Sequence, residues 1–143
     1  MLENSCKVKI WYGIMLSAAL TMTGCKAVKP LSSEPVFLTK SEIQALFSGQ
    51  TIESHNLNTR ITSFTYYRPN GKAVQERLWE KRTGLWRVLD DGKICLQFGT
   101  KKERCRIIGK KDGDYRKYRP DQSGQLVPIV KYRRFISGNT LKL

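Results

Sequence analysis

The chain has 143 residues, 26 of them Lys or Arg and 12 Asp or Glu, for a formal net charge of +14 at pH 7. That length suits one domain with one modest core. The charge predicts attraction to polyanions or anionic surfaces and disfavours basic partners.

The first ten residues carry Lys7 and Lys9 against a single Glu3, and Trp11 to Met22, "WYGIMLSAALTM", is then free of charge. This is the n-region and h-region order of an export signal, and the run is shorter than the roughly 20 residues a spanning helix needs. It ends in "MTGC", Met22 to Cys25, with no A-x-A-like site. The motif resembles the lipobox of bacterial lipoproteins: aliphatic, small, small, Cys. The resemblance implies that residues 1–24 are a signal peptide, that Cys25 carries a thioether-linked diacylglycerol, and that its freed amine is acylated. Several acyl chains hold far better than one, since each buried methylene is worth about 0.8 kcal/mol. Lys26, where the family places Asp in lipoproteins retained at the inner membrane, implies an outer-membrane location facing the periplasm. Lys7, Lys9 and Glu3 leave with the signal, so the positive excess stays almost whole.

Residues 25–37, ending "KAVKPLSSEPVF", have no apolar period and read as a lipidated tether. In "LTKSEIQALFSG", Thr39 and Glu42 form a capping box. Leu38 and Ile43 form a hydrophobic staple, and Ile43, Leu46 and Phe47 share one face of a two-turn helix stopped at Gly49. From there to residue 136 the pattern is β: segments rich in β-branched and aromatic residues are broken by Asn70-Gly71, Asp91-Gly92 and Asp112-Gly113. Such pairs tolerate positive φ at both central positions of a tight hairpin. The three glycines are evenly spaced, so these turns share one end of an antiparallel meander, with "RTG" (82–84) and "GTKK" (99–102) turning at the other. Trp86 and Val88 share one face; Ile94, Leu96 and Phe98 share another. With Ile61 or Phe64, Leu78 or Trp79, Val127 and Ile129, they are the expected core. The predicted fold is mainly β: one short N-terminal helix, then an antiparallel β-meander forming a small curved sheet or barrel over residues 38–136. The tail, 137–143, has no usable pattern.

Cys6 leaves with the signal and Cys25 is lipidated, so Cys95 and Cys105 remain to pair in an oxidising compartment. A turn centred near Thr100 puts the two directly opposite one another, which fits a cross-strand disulfide.

From residue 38 to about 119 the order of motifs resembles a group of small exported proteobacterial proteins of unknown function. The matching stretches are Leu38 to Gly49, Pro69-Asn70-Gly71, Gly84-Leu85-Trp86-Arg87-Val88, Gly92-Lys93-Ile94-Cys95-Leu96 and Cys105. The resemblance implies the same fold and the Cys95–Cys105 pair, and it implies no activity.

No catalytic residues are expected. His55 sits in a polar stretch, Asp90, Asp91, Asp112 and Asp114 belong to turns, and no nucleophile motif or phosphate-binding loop occurs. Two lone cysteines without a nearby His make no zinc site, so neither metal nor cofactor is expected. Basic residues crowd the later strands: Lys101, Lys102, Arg104, Arg106, Lys110, Lys111, Arg116, Lys117 and Arg119, then Lys131, Arg133 and Arg134. Alternation is expected to gather several on one outward face beside Tyr115 and Tyr118. For an exported protein the expected partner of that face is anionic lipid, lipopolysaccharide phosphate or cell-wall polymer, with no nucleic acid. The alternative is protein recognition in the envelope, through exposed aromatics such as Tyr66 and Tyr67 or as a periplasmic enzyme inhibitor, since "ISGNT" resembles loops of small barrels that block lysozyme. Lysozymes are basic, which disfavours the encounter.

Overall fold

In the computed structural model the described residues are 34–142. The expected signal, Cys25 and most of the expected tether lie outside them. The elements run β1 (Val36–Phe37), α1 (Lys40–Phe47), β2 (Gln50–Asn56), β3 (Thr62–Tyr67), β4 (Lys72–Arg77), β5 (Glu80–Val88), β6 (Lys93–Phe98), β7 (Arg104–Lys111), β8 (Asp114–Pro120) and β9 (Leu126–Ser137). Each strand from β2 to β9 pairs antiparallel with the next, and β9 pairs back onto β2. The result is a closed, eight-stranded up-and-down barrel, which removes free edges among its strands. Val36 and Phe37, expected in the tether, instead form β1, which extends the edge of β7 beyond the end of β6 (Val36↔Lys110, Phe37↔Gly109). The register of β9 shifts twice, against β2 between Glu53 and Ser54 and against β8 between Lys117 and Tyr118. Such bulges bend a strand, and β9 is the longest here.

The glycine turns fall at one end of the barrel as expected. Asp112 and Gly113 both have positive φ, the two-residue turn the sequence predicts. Gly71 and Gly92 differ: Gly71 donates its N–H to Arg68 O, Gly92 to Leu89 O, and within each turn only the glycine is left-handed. These are three-residue loops, a type I turn followed by a left-handed glycine. Gly92 has a second constraint, because a Cβ there would meet Leu38 O at 2.8 Å. At the opposite end, "GTKK" turns and sets Cys95 against Cys105, Cα to Cα 3.9 Å, joined by a disulfide. "RTG" does not turn. The reversal comes at Leu78 and Trp79, φ 51° and 66°, and β5 runs straight through residues 82–84. Gly84 serves close approach instead: a Cβ there would lie 2.1 Å from Gln97 O and 2.7 Å from Phe98 Cδ1.

The helix is capped as read. Thr39 Oγ1 accepts from the Glu42 N–H, and Glu42 accepts from the Thr39 N–H at 2.8 Å. It closes the glycine-turn end of the barrel, placing Ile43 and Phe47 in a core with Ile52, Tyr67, Ala73, Trp86, Ile94, Ile108 and Tyr132. Val88, Leu96 and Phe98 pack against that core. Other expected core residues lie elsewhere. Leu78 and Trp79 are exposed at their hairpin tip, Ile61 and Phe64 line an outer cleft beside them, and Val127 and Ile129 are half-buried on the bulged strand. Tyr67, expected at the surface, is buried, its ring edge-on to Phe47 and Trp86. The tail folds back: Gly138 donates its N–H to Gly49 O, and Thr51 Oγ1 bonds Gly138 O at 2.6 Å.

Candidate functional site

Strand alternation decides where the basic residues point. Arg104 pairs with Leu96, Arg106 with Ile94 and Lys117 with Ile108, and all three apolar partners face the interior. The expected single outward face is therefore divided. The half-buried Arg106 and Lys117 and the exposed Arg104 line a cavity of about 290 Å³ at the end of the barrel opposite the helix, with Lys101 and Lys102 at its rim. Arg77 and Arg82 come from β4 and β5, and Gln75, Leu96, Phe98, Ile129 and Val130 complete the wall. An eight-stranded barrel leaves an interior wide enough for its side chains or for one small ligand. Here the helix end is filled by aromatic and aliphatic side chains, and the other end holds cations.

The remaining basic residues lie elsewhere. Asp114 holds Lys131 at 2.7 Å and Arg116 at 3.5 Å, and these cations keep its carboxyl below the usual range. Glu53 pairs with Arg134 and, at 3.7 Å, with Arg133. The exposed Lys110 ammonium lies 5.2 Å from the Tyr115 ring centre, Lys111 borders an outer cleft with Phe37 and Tyr118, and Arg119 is exposed. Tyr115 and Tyr118 do not share a face. Tyr115 packs inside against Phe135, whereas Tyr118 meets Phe37 of β1.

The residues lining the cavity include seven cations and no Asp or Glu; Glu80, paired across from Arg77, lies beside Arg77 and Arg82 outside that lining. Glu103, adjacent in sequence, is turned away and held by Arg87 through two bonds of 2.8 and 2.7 Å. Arg82 donates to Gln75 Oε1 and lies over the Phe98 ring, 4.7 Å from its centre. Gln75 donates in turn to Thr65 Oγ1 at 2.8 Å. Burial, then the neighbouring Arg77, lowers the pKa of Arg82, with Glu80 opposing; burial, then Arg104 and Arg119, lowers that of Arg106. Burial and the nearby Arg106 bring Lys117 down from 10.5 to about 8, its ammonium 5.8 Å from the Tyr132 ring centre. The buried Tyr132 hydroxyl has no hydrogen-bond partner among the described residues.

The sequence reading missed Arg77, Arg82 and Gln75. Placing the turn at Leu78-Trp79 puts all three on one face with Thr65, since Gln75 pairs with both Thr65 and Arg82. His55, outside the cavity, lies 3.1 Å from Thr62 Oγ1; burial, then Arg133 and Arg60, lowers its pKa. Among the described residues the one group spaced to hold a metal is Cys95, Glu103 and Cys105. Its two sulfurs are committed to the disulfide.

Fold and cavity together define a class: a closed up-and-down barrel plugged at one end and cationic at the other. No protein-family model matches the chain, and no curated protein is significantly similar to it.

Proposed function

We propose that this protein is a non-enzymatic binding module of the bacterial envelope, tethered by lipid on Cys25 and presenting the cationic open end of its barrel to anionic envelope components. The observation that carries the reading is the convergence of Arg77, Arg82, Lys101, Lys102, Arg104, Arg106 and Lys117 on one cavity without a carboxylate. Confining like charges in low dielectric is unfavourable, so an incoming anion relieves a standing repulsion. Lipid headgroups, lipopolysaccharide and cell-wall polymers share the phosphate or carboxylate this end suits. Outside, Glu53 and Asp114 pair with Arg133, Arg134, Arg116 and Lys131, whereas no carboxylate lines the mouth, which makes the mouth the better candidate.

Co-sedimentation of residues 26–143 with phosphatidylglycerol vesicles tests the binding. Association is expected at low salt and is expected to weaken steeply as the screening length falls to about 8 Å at physiological ionic strength. Phosphatidylcholine vesicles should leave the protein in the supernatant. Equal partition onto both lipids, or none onto either, refutes the reading. The anchor has its own test: Cys25→Ser should release the protein from the membrane fraction and prevent its processing, and a variant that stays bound and processed refutes lipidation.

A further inference from the structure

We propose that the barrel interior is a discrete subsite for a single phosphate or carboxylate group bearing a short apolar chain, with the head among Arg82, Arg104, Arg106 and Lys117 and the chain against Leu96, Phe98 and Val130. This deepens the reading that the open end receives anions, and it names what enters the barrel rather than what touches its rim. Three observations carry it.

The cations are fixed from different strands. Arg82 stands on β5, Arg104 and Arg106 on β7, and Lys117 on β8, so the charge surrounds a volume instead of forming a stripe. Arg82 is also preorganised, held by Gln75 Oε1 and by the Phe98 ring. Donors fixed before the ligand arrives lose little freedom on binding.

The cavity walls are mixed. Leu96, Phe98, Ile129 and Val130 share the space with the cations, and these apolar groups offer nothing to a bare inorganic ion. A chain of a few methylenes laid against them gains about fourfold in affinity for each one buried. The volume, about 290 Å³, is on the order of ten water volumes and lies at the lower limit of small-molecule sites. It admits a head and a short chain, and it excludes a folded peptide.

The opposite end of the barrel is closed by Ile43 and Phe47, neither exposed. The ligand must therefore enter and leave by the cationic mouth, past Lys101 and Lys102, which attract it without being part of the inner set.

Calorimetric titration of residues 26–143 with hexyl phosphate, inorganic phosphate and hexyl glucoside tests this. Hexyl phosphate should bind about tenfold or more tightly than inorganic phosphate, and hexyl glucoside should not bind measurably. Arg106→Gln and Lys117→Met should each weaken hexyl phosphate about tenfold, the scale of one lost charge-assisted bond, whereas Lys101→Gln with Lys102→Gln should cost only a few-fold. In case an interior variant fails to fold, NMR of the wild-type protein reads the site directly: hexyl phosphate should shift the side-chain N–H signals of Arg82 and Arg106 and leave that of Arg116 in place. Inorganic phosphate binding as tightly as hexyl phosphate, shifts confined to Arg116, or loss of binding only in the Lys101/Lys102 variant would overturn the subsite. If vesicles bind while hexyl phosphate does not, the inner site fails and the broader reading survives. If hexyl phosphate binds and vesicles do not, the subsite holds and the membrane-surface reading fails.

Discussion

Phe47→Ala is expected to lower the unfolding free energy by about 3–5 kcal/mol, the range for deleting a buried aromatic ring. In a domain of this size that is a fall in melting temperature on the order of 15–25 °C. Phe47 is fully buried and is the hub of the closed end, with its ring edge-on to Tyr67 at 5.1 Å, Tyr132 at 5.3 Å and Phe135 at 6.0 Å. Each such geometry adds about 0.5–1.5 kcal/mol beyond area burial. The helix multiplies the effect. At eight residues it is too short to be stable alone, so its order depends on what Ile43 and Phe47 bury. Thermal unfolding followed by circular dichroism measures the change. A loss under about 1 kcal/mol would mean that the helix merely rests on the barrel. Titration below the new melting temperature adds a check, because the cationic cavity lies at the far end and hexyl phosphate affinity should change little.

The helix was legible because its signals are local: a capping box, a staple and one apolar face within a dozen residues. The register of β6 on β7 was legible because the disulfide and the "GTKK" turn constrain the same pairing. Reading failed where a residue does a job its type does not announce. Leu78 and Trp79 occupy left-handed positions that turn chemistry reserves for Asn, Asp and Gly, at an expected strain of about 1–2 kcal/mol each. Gly84 looks like a turn residue, yet its missing side chain serves the approach of β5 to β6. Misplacing that reversal hid the shared face of Gln75, Arg77 and Arg82, and with it two of the seven cations of the cluster. Composition gave no warning that Arg104, Arg106 and Lys117 point inward, because charged residues on a strand are ordinarily assigned to water. Only barrel closure, which makes one face of every strand an interior, sends them inside.

Lys117→Met is expected to stabilise the unliganded barrel while impairing it as a binder. Arg106 on β7 acts on Lys117 with like charge, Arg104 and Arg82 line the same cavity, the centre of the Tyr132 ring of β9 lies 5.8 Å from its ammonium, and no carboxylate lines the cavity. In the folded protein its pKa lies near 8, below the ordinary 10.5 that the unfolded chain retains. The unfolded chain therefore holds the proton more tightly, and folding carries a penalty at pH 7. That penalty is fully present below about pH 8, shrinks as the pH climbs toward 10.5, and is gone once both states are neutral. Methionine keeps the length of the stem and carries no charge, so the variant should gain about 2 kcal/mol at pH 7, an order-of-magnitude figure from the linkage between pKa and stability. The difference from wild type should narrow steadily from pH 8 to pH 10.5 in urea unfolding. Saturating hexyl phosphate should cut the variant's advantage by about 1.4 kcal/mol, the worth of a tenfold difference in affinity, because the ligand stabilises the wild-type barrel more than the variant it binds poorly. Stability given up without ligand and mostly recovered with it is the pattern of a functional group held in an unfavourable place. If Lys117→Met is instead less stable at pH 7, or differs from wild type by the same amount at every pH, the side chain serves by packing its methylene stem, and the inner site loses its central cation.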